Sequence, residues 1–338
     1  MIQKPIIDIT DLRIGFDNSV KSELFYPLIN ASALKGDFIA LIGRNGVGKS
    51  TFLRSIARLQ PIVSGDVFIK GQPYRCIERS EFSKTLSFIP AEPIHAANMS
   101  VSEFVAIARY PYKGWFGTIS NEDKDVVRFA LESVNLLKLS KRELDSLSDG
   151  ERQRAMIAFA LAQDSDIILM DEPTAFIDLP SKYEIVKLLK DLSLKGKTVI
   201  FSTHDLHTAI REVDTIWLML DDGLTCGAPE DLALNNFLNR LFENTEVYLD
   251  FSTGTFLHKA VSNFKISLTA DSDYHYIWTK RALERIGYSV TSDENSIKDQ
   301  VKCSSKDNFL NWKVSNGSST VEFKNINQLC KYLKFHLP

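Results

Sequence analysis

Cysteine is scarce in this chain, and its four copies, Cys76, Cys226, Cys303 and Cys330, are scattered without pair spacing. That usage suits a reducing cytosol and excludes a disulfide framework. Histidine is equally thin, with six dispersed copies that suggest no metal cluster. Long apolar runs are missing. The best, residues 155–162, ends just before Asp164 and Asp166, far short of the roughly 18–20 apolar residues that span a bilayer. The opening MIQKPIIDIT carries an acid early and has no secretory pattern. Nor is there an excess of one charge. Net charge is −3 over 338 residues, so no overall field points to nucleic acid or an anionic membrane. What remains is 44% apolar and 25% charged, the composition of a cytosolic globular protein with one large and one smaller domain.

What the chain does have is FIALIGRNGVGKST. Residues 38–42 read as a buried strand, and Phe52, Leu53, Ile56 and Ala57 give the following helix an apolar face. Between them, Gly43, Arg44, Asn45, Gly46, Val47, Gly48, Lys49, Ser50 and Thr51 carry the spacing of a phosphate-binding loop. Glycines let backbone N–H groups converge on phosphate oxygens, and the helix N-terminus adds partial positive charge. Lys49 is expected to reach the β- and γ-phosphates, and the Ser50 hydroxyl to ligate Mg2+.

A second strand pattern, residues 166–170, ends in adjacent acids, Asp171 and Glu172. Two carboxylates at the end of a buried strand are costly without a cation. Mg2+ near the first and a water near the second account for both. A third strand, residues 198–202, is followed by His204. Alone, each feature has a plainer reading: a glycine turn, an acidic surface turn, a strand-end histidine bonded locally. Ligands in open parallel sheets bind beyond the strands' carboxyl ends, so the three converge on one rim and describe an ATPase site.

With DSLSDGERQR added, the chain resembles the nucleotide-binding domain of an ABC transporter. The glycine loop, the Leu147–Glu151 signature LSDGE, the acidic strand end and His204 occur in that family's order over residues 5–258. The resemblance implies an α/β P-loop NTPase of ABC type occupying residues 1–258. Its parts are a parallel-sheet core, an N-terminal antiparallel β part and a helical subdomain at residues 92–165. It further implies a homodimer closed head to tail around two ATP molecules. Ser148 and Gly150 of each copy then face the γ-phosphate held by the other. Phe16 is matched to the residue that stacks on adenine, Asp171 to the Mg2+ ligand and Glu172 to the general base. His204 matches the residue that touches the γ-phosphate, and Asp178 belongs to a loop crossing the dimer interface. Asp149 stands where glycine is more frequent, and is expected to point away or to pair with Arg152 or Arg154. Ala91 stands where the family has a glutamine, which leaves Glu92 as the candidate replacement.

Within residues 92–165, helices are expected at 101–109, 122–137 and 150–163. The aromatic run RYPYKGWFG at 109–117 reads as either an interface patch or a loop folded over its own helices. The family's division of labour implies separate transmembrane permease subunits, with this chain peripheral on the cytoplasmic face and no nucleic-acid partner. The motifs look most like the importer branch for iron–siderophores, haem and cobalamin. A soluble ABC ATPase serving a non-membrane assembly and a low-turnover regulatory ATP-binding module are the alternatives. Residues 247–259 read as a hairpin turning at Ser252-Thr253-Gly254. Residues 259–338 read as a small, net basic α+β appendage. Its helices are marked by Trp278, Ala282 and Ile286, and by Ile326, Leu329, Cys330 and Leu333 after an Asn325 cap.

Overall fold

The computed structural model describes residues 3–18, 21–24, 27–92, 94–113, 119–175, 177–243, 245–250, 255–258, 264–292, 299–306, 309–316 and 319–335. The chain divides into two compact units, Met1–Glu243 and Asn244–Pro338.

At the centre of the first unit is the strand Phe38–Gly43, buried along its whole length. Such a strand needs cover on both faces, which is the usual condition of a parallel sheet. Its sheet runs Gly223–Gly227, Thr215–Leu220, Phe38–Gly43, Thr198–Ser202, Ile167–Met170, Leu86–Ile89, and only the edge strand Gly223–Gly227 pairs antiparallel. Successive side chains go to opposite faces. Ile39 and Leu41 enter a core shared with Phe52, Leu53 and Ile56 of the helix Lys49–Ile56, where the Phe52 and Trp217 rings lie 5.9 Å apart. A four-stranded antiparallel sheet, Ile29–Ala33, Ile7–Arg13, Ser64–Ile69 and Gln72–Pro73, adds Ile7, Ile9, Leu12, Val67 and Ile69 to the same core. Phe38 instead stacks on Phe201 at 5.1 Å. The helix that follows the glycine loop is therefore held between two sheets, which fixes the loop that starts it.

Residues 92–165 hold the helices Val101–Ile107, Asn121–Ser133 and Asp149–Gln163. The first two stop short of the ends expected from sequence. All three begin with a serine whose side chain accepts a backbone N–H three residues on, while the acid there reaches back to the serine N–H. The RYPYK segment folds onto these helices. Arg109 donates to Asp123 Oδ1 at 2.9 Å and to the Ala162 carbonyl at 2.9 Å. Tyr112 donates to the Gln163 carbonyl at 2.9 Å. Of the expected aromatic patch, Tyr110 is exposed, and Trp115 and Phe116 lie outside the described residues.

In the second unit, Val247–Asp250 and Thr255–His258 pair as an antiparallel hairpin; its expected turn residues lie outside those described. A five-stranded sheet follows, ordered Tyr288–Thr291, Phe264–Ala270, Gln300–Lys306, Phe309–Ser315, Thr320–Phe323. Its first three strands are parallel and its last two antiparallel. The helices Asp273–Arg285 and Ile326–Phe335 bury Leu283, Leu329 and Leu333 against Ile266, Leu268 and Val301. Asn325 accepts the Gln328 N–H at 3.0 Å, as a cap should. Trp278, expected on the inner face, is instead exposed. The buried place next to it belongs to Thr279, which accepts the Trp312 indole N–H at 2.9 Å.

The Arg109 hydrogen bond, joined by those of Ser120, holds the Asp123 carboxyl down at about 2 against the opposing push of burial. An unfolded aspartate titrates near 3.9. The stabilisation is therefore complete above that value and lost as pH falls through about 2. Asp123→Asn is expected to destabilise the fold by about 2 kcal/mol at neutral pH. In urea unfolding followed by circular dichroism, the gap from the parent should close between pH 5 and pH 2; a pH-independent gap would contradict the assignment.

Candidate functional site

Parallel strands end on the same side of their sheet, so four of them deliver residues to one rim. Phe38–Gly43 leads into the glycine loop, Ile167–Met170 into Asp171 and Glu172, Thr198–Ser202 into His204, and Leu86–Ile89 into Ala91 and Glu92.

At the root of the loop, a Cβ on Gly43 would lie 2.5 Å from the Met219 carbonyl oxygen and 2.8 Å from a Val47 methyl. Only glycine allows this approach. Gly48, with φ +109°, is the N-cap of the helix Lys49–Ile56, and no side chain caps that helix. Its first N–H groups are left for an anion. Ser50 and Thr51 follow in the helix's first turn, while Asn45 and Gly46 are exposed at the tip. Lys49 is buried, and its ammonium donates to the carbonyls of Gly43 at 2.9 Å and Arg44 at 3.1 Å. Burial lowers its pKa, and the carboxylates of Glu172 and Asp171 oppose that shift. Arg44 turns its side chain away from the loop: Nε donates to the Leu241 carbonyl at 2.9 Å and Nη2 to the Glu243 carbonyl at 2.6 Å. That leaves its backbone for the loop.

Asp171 is 1% exposed. Its Oδ1 accepts the Ser202 hydroxyl at 2.7 Å, and the Ser202 oxygen accepts the Glu172 N–H at 2.8 Å. One serine therefore orients both acids. Sequence reasoning took Ser202 only as a strand's last residue; the signal was a serine closing the apolar run Val199–Phe201. Glu172 has φ +48°, a left-handed conformation costing a non-glycine residue about 1–2 kcal/mol. Its Oε1 lies 2.5 Å from His204 Nε2.

Other expected residues are placed less centrally. Ser148 caps the helix Asp149–Gln163. Gly150 lies near Ser181 and Ile177, where an added Cβ would make ordinary contacts. Asp149 makes neither expected pair, because Arg152 donates to the carbonyls of Asp145 and Leu147 and Arg154 pairs with Glu184. Asp178 is exposed at the start of the helix Leu179–Leu194. Phe16 lies in the strand Gly15–Asn18, with its side chain outside what is described. Ala91 is half-buried and Glu92 exposed.

The rim thus holds an ammonium, loop amides and a helix start for anionic oxygens. Beside them stand a hydroxyl and a buried carboxylate for a hard cation, and a carboxylate–histidine pair for a water proton. Such a set can hold a polyphosphate and cleave it.

Residues 28–175 match the family described as ABC transporter, and residues 263–334 match the iron ABC transporter C-terminal domain. The petrobactin import ATP-binding protein FpuD of Bacillus anthracis is 34% identical over 63% of this chain and 79% of its own. The ferric enterobactin transport ATP-binding protein FepC of Escherichia coli is 32% identical over 61% of this chain and 77% of its own. A bacterial ABC transporter cassette solved as a dimer superposes with TM-score 0.59 at 26% identity, over 66% of this chain and 98% of that one. The same cassette is also solved in a post-hydrolysis state bound to ADP and phosphate, again with TM-score 0.59, at 25% identity over the same shares of the two chains.

If Ser202 orients the acids, Ser202→Ala strands the Glu172 N–H. Hydrogen exchange at that amide should accelerate about tenfold, the equivalent of one lost hydrogen bond. Unchanged protection would show that the serine is incidental.

Proposed function

Since this chain belongs to the ABC transporter family and carries an iron ABC transporter C-terminal domain, we propose that it hydrolyses ATP to drive import of an iron–siderophore or a related chelate such as haem or cobalamin. The observation that carries the reading is the pair of acids tied together by Ser202 at the mouth of the Lys49 loop. The names of FpuD and FepC give petrobactin and ferric enterobactin as their cargo, and that of the 37% identical YusV of Bacillus subtilis gives a siderophore.

In this reading the amides of residues 44–51 and the Lys49 ammonium bind the β- and γ-phosphates. Lys49 first exchanges its bonds to the Gly43 and Arg44 carbonyls for phosphate oxygens. Ser50 and Asp171 would hold Mg2+. Both offer hard oxygen, and Asp171 is buried with Oδ1 as its only described hydrogen-bonded oxygen. Bound there, the cation neutralises charge on the phosphates. Glu172 takes the proton of the attacking water. His204 fixes the Glu172 carboxylate and faces the γ-phosphate. Phe16 stacks on adenine.

The proposed working unit is a homodimer closed head to tail. Supporting it, the related cassette is dimeric, and no hydrogen bond or ion pair among the described residues joins Ser148 or Gly150 to their own chain's glycine loop. These two residues then donate to the nucleotide of the second copy. Among the described residues no helix is long and apolar enough to cross a membrane. The proposal places the chain peripherally on the cytoplasmic face, under separate transmembrane permease subunits.

Three measurements test the reading. Glu172→Gln should lower ATP turnover by about 100-fold or more while ATP still binds; equal rates in both proteins would remove Glu172 from the chemistry. Glu92→Ala should slow turnover at least about tenfold if Glu92 fills the place left by Ala91, and near-normal turnover would show that the site works without it. Isolation of the chain from native membranes in mild detergent should recover a polytopic membrane protein in stoichiometric amount. Ribosomal or DNA-bound partners would instead indicate a soluble ABC ATPase.

A further inference from the structure

Arg44 carries the one long side chain in the tip of the glycine loop, and it points away from the proposed nucleotide. Its guanidinium donates to three carbonyls at the end of the first unit: Leu241 at 2.9 Å, Glu243 at 2.6 Å and Arg240 at 3.5 Å. These carbonyls close the short helix Leu238–Phe242. Helix-end carbonyls have no partners within their own helix and carry partial negative charge, so a forked cation suits them. The segment is tied a second time, since Arg240 pairs with Asp222 at 2.7 Å and reaches Glu243 at 3.5 Å. Between the loop and this segment lies a cavity of about 170 Å3, walled by Val47, Met219, Asp221 and Arg240 among others. The loop is therefore gripped where it starts, by Met219 against Gly43 and by residues 240–243 holding Arg44.

Glu243 is also the last residue of the first unit, after which the chain enters the C-terminal unit. We propose that Arg44 is a positioning residue through which the exit segment, residues 238–243, sets the conformation of the phosphate loop. Whatever tightens or displaces that segment, acting along the covalent chain, then changes the affinity for ATP. This rests on the glycine loop being the ATP site. Loss of the grip frees the loop's backbone amides from their preset orientation, so the effect falls on nucleotide binding more than on the chemical step.

The test uses the full chain with Arg44→Gln, Arg44→Lys and Arg240→Gln. Arg44→Gln is expected to raise KM for Mg·ATP about fivefold, with a smaller change in kcat. Arg44→Lys should fall between it and the parent, since an ammonium replaces only part of the fork. Hydrogen exchange at residues 45–48 should accelerate in the same order. Arg240→Gln should raise KM in the parent and have little further effect beside Arg44→Gln, because both loosen one connection. An unchanged KM and unchanged exchange in Arg44→Gln would overturn the proposal. So would fully additive effects of the two substitutions. If the parent hydrolyses no ATP, the reading of the site falls, and the exchange comparison alone still judges the grip.

Discussion

A carboxylate and an ammonium are both buried at one end of the central sheet, and much of the molecule is arranged to make that tolerable. Isolated charges in such a place cost several kcal/mol each. Here Asp171 receives the Ser202 hydroxyl, Lys49 rests on two loop carbonyls, and each lies in the field of the other. The bond between Ser202 and Asp171 forms only when the strands Ile167–Met170 and Thr198–Ser202 stand side by side and in register, and the same sheet sets Phe38–Gly43, with its loop, next to them. The two-sided core supplies that register. Ile39, Leu41, Leu169 and Ile200 lock one face to the helix behind the loop, and Phe38 and Phe201 stack together. Packing and chemistry are thus one problem: the hydrophobic layers hold the charges in place, and the charges are what the layers are there to hold.

The parts legible in the sequence were those whose physics is local. An apolar run at residues 38–42, a glycine spacing and an asparagine ahead of an apolar helical pattern each state their structure within a few positions. The parallel core, the helical subdomain and the cap at Asn325 followed from such signals. What escaped depended on partners distant in the chain. Ser202 looks like a strand boundary until Asp171 and the Glu172 N–H are brought to it across the sheet. The direction of Arg44 is set by carbonyls near position 241. Trp278 reads as a core residue by its bulk, yet the helix register buries Thr279, whose hydroxyl Trp312 then satisfies. The strand Gln300–Lys306 carries only Val301 and Cys303 as apolar residues, among serines and lysines. Its central place comes from neighbours on both sides rather than from its own pattern.

The helical subdomain obeys a stricter economy than its sequence suggests. Asp123 caps its own helix and also receives Arg109, whose other arm closes on the Ala162 carbonyl at the end of the signature helix. A turn that read as a possible binding patch is in part the brace between two helices. The start of the signature helix is fixed by its serine cap, and its far end by Arg109 and Tyr112.

Glu172 combines two demands at one position. In the proposed reaction its side chain is the base, and its backbone is held at φ +48°, where branched side chains are least at home. A residue there is screened once for its chemistry and again for its shape. Asparagine and glycine suit that conformation and lose the carboxylate, while aspartate suits it and keeps one on a side chain shorter by one carbon. The position therefore has few workable neighbours in sequence space: as the chain diverges, a substitution there can keep the local fold and lose the proposed reaction, but few can keep both.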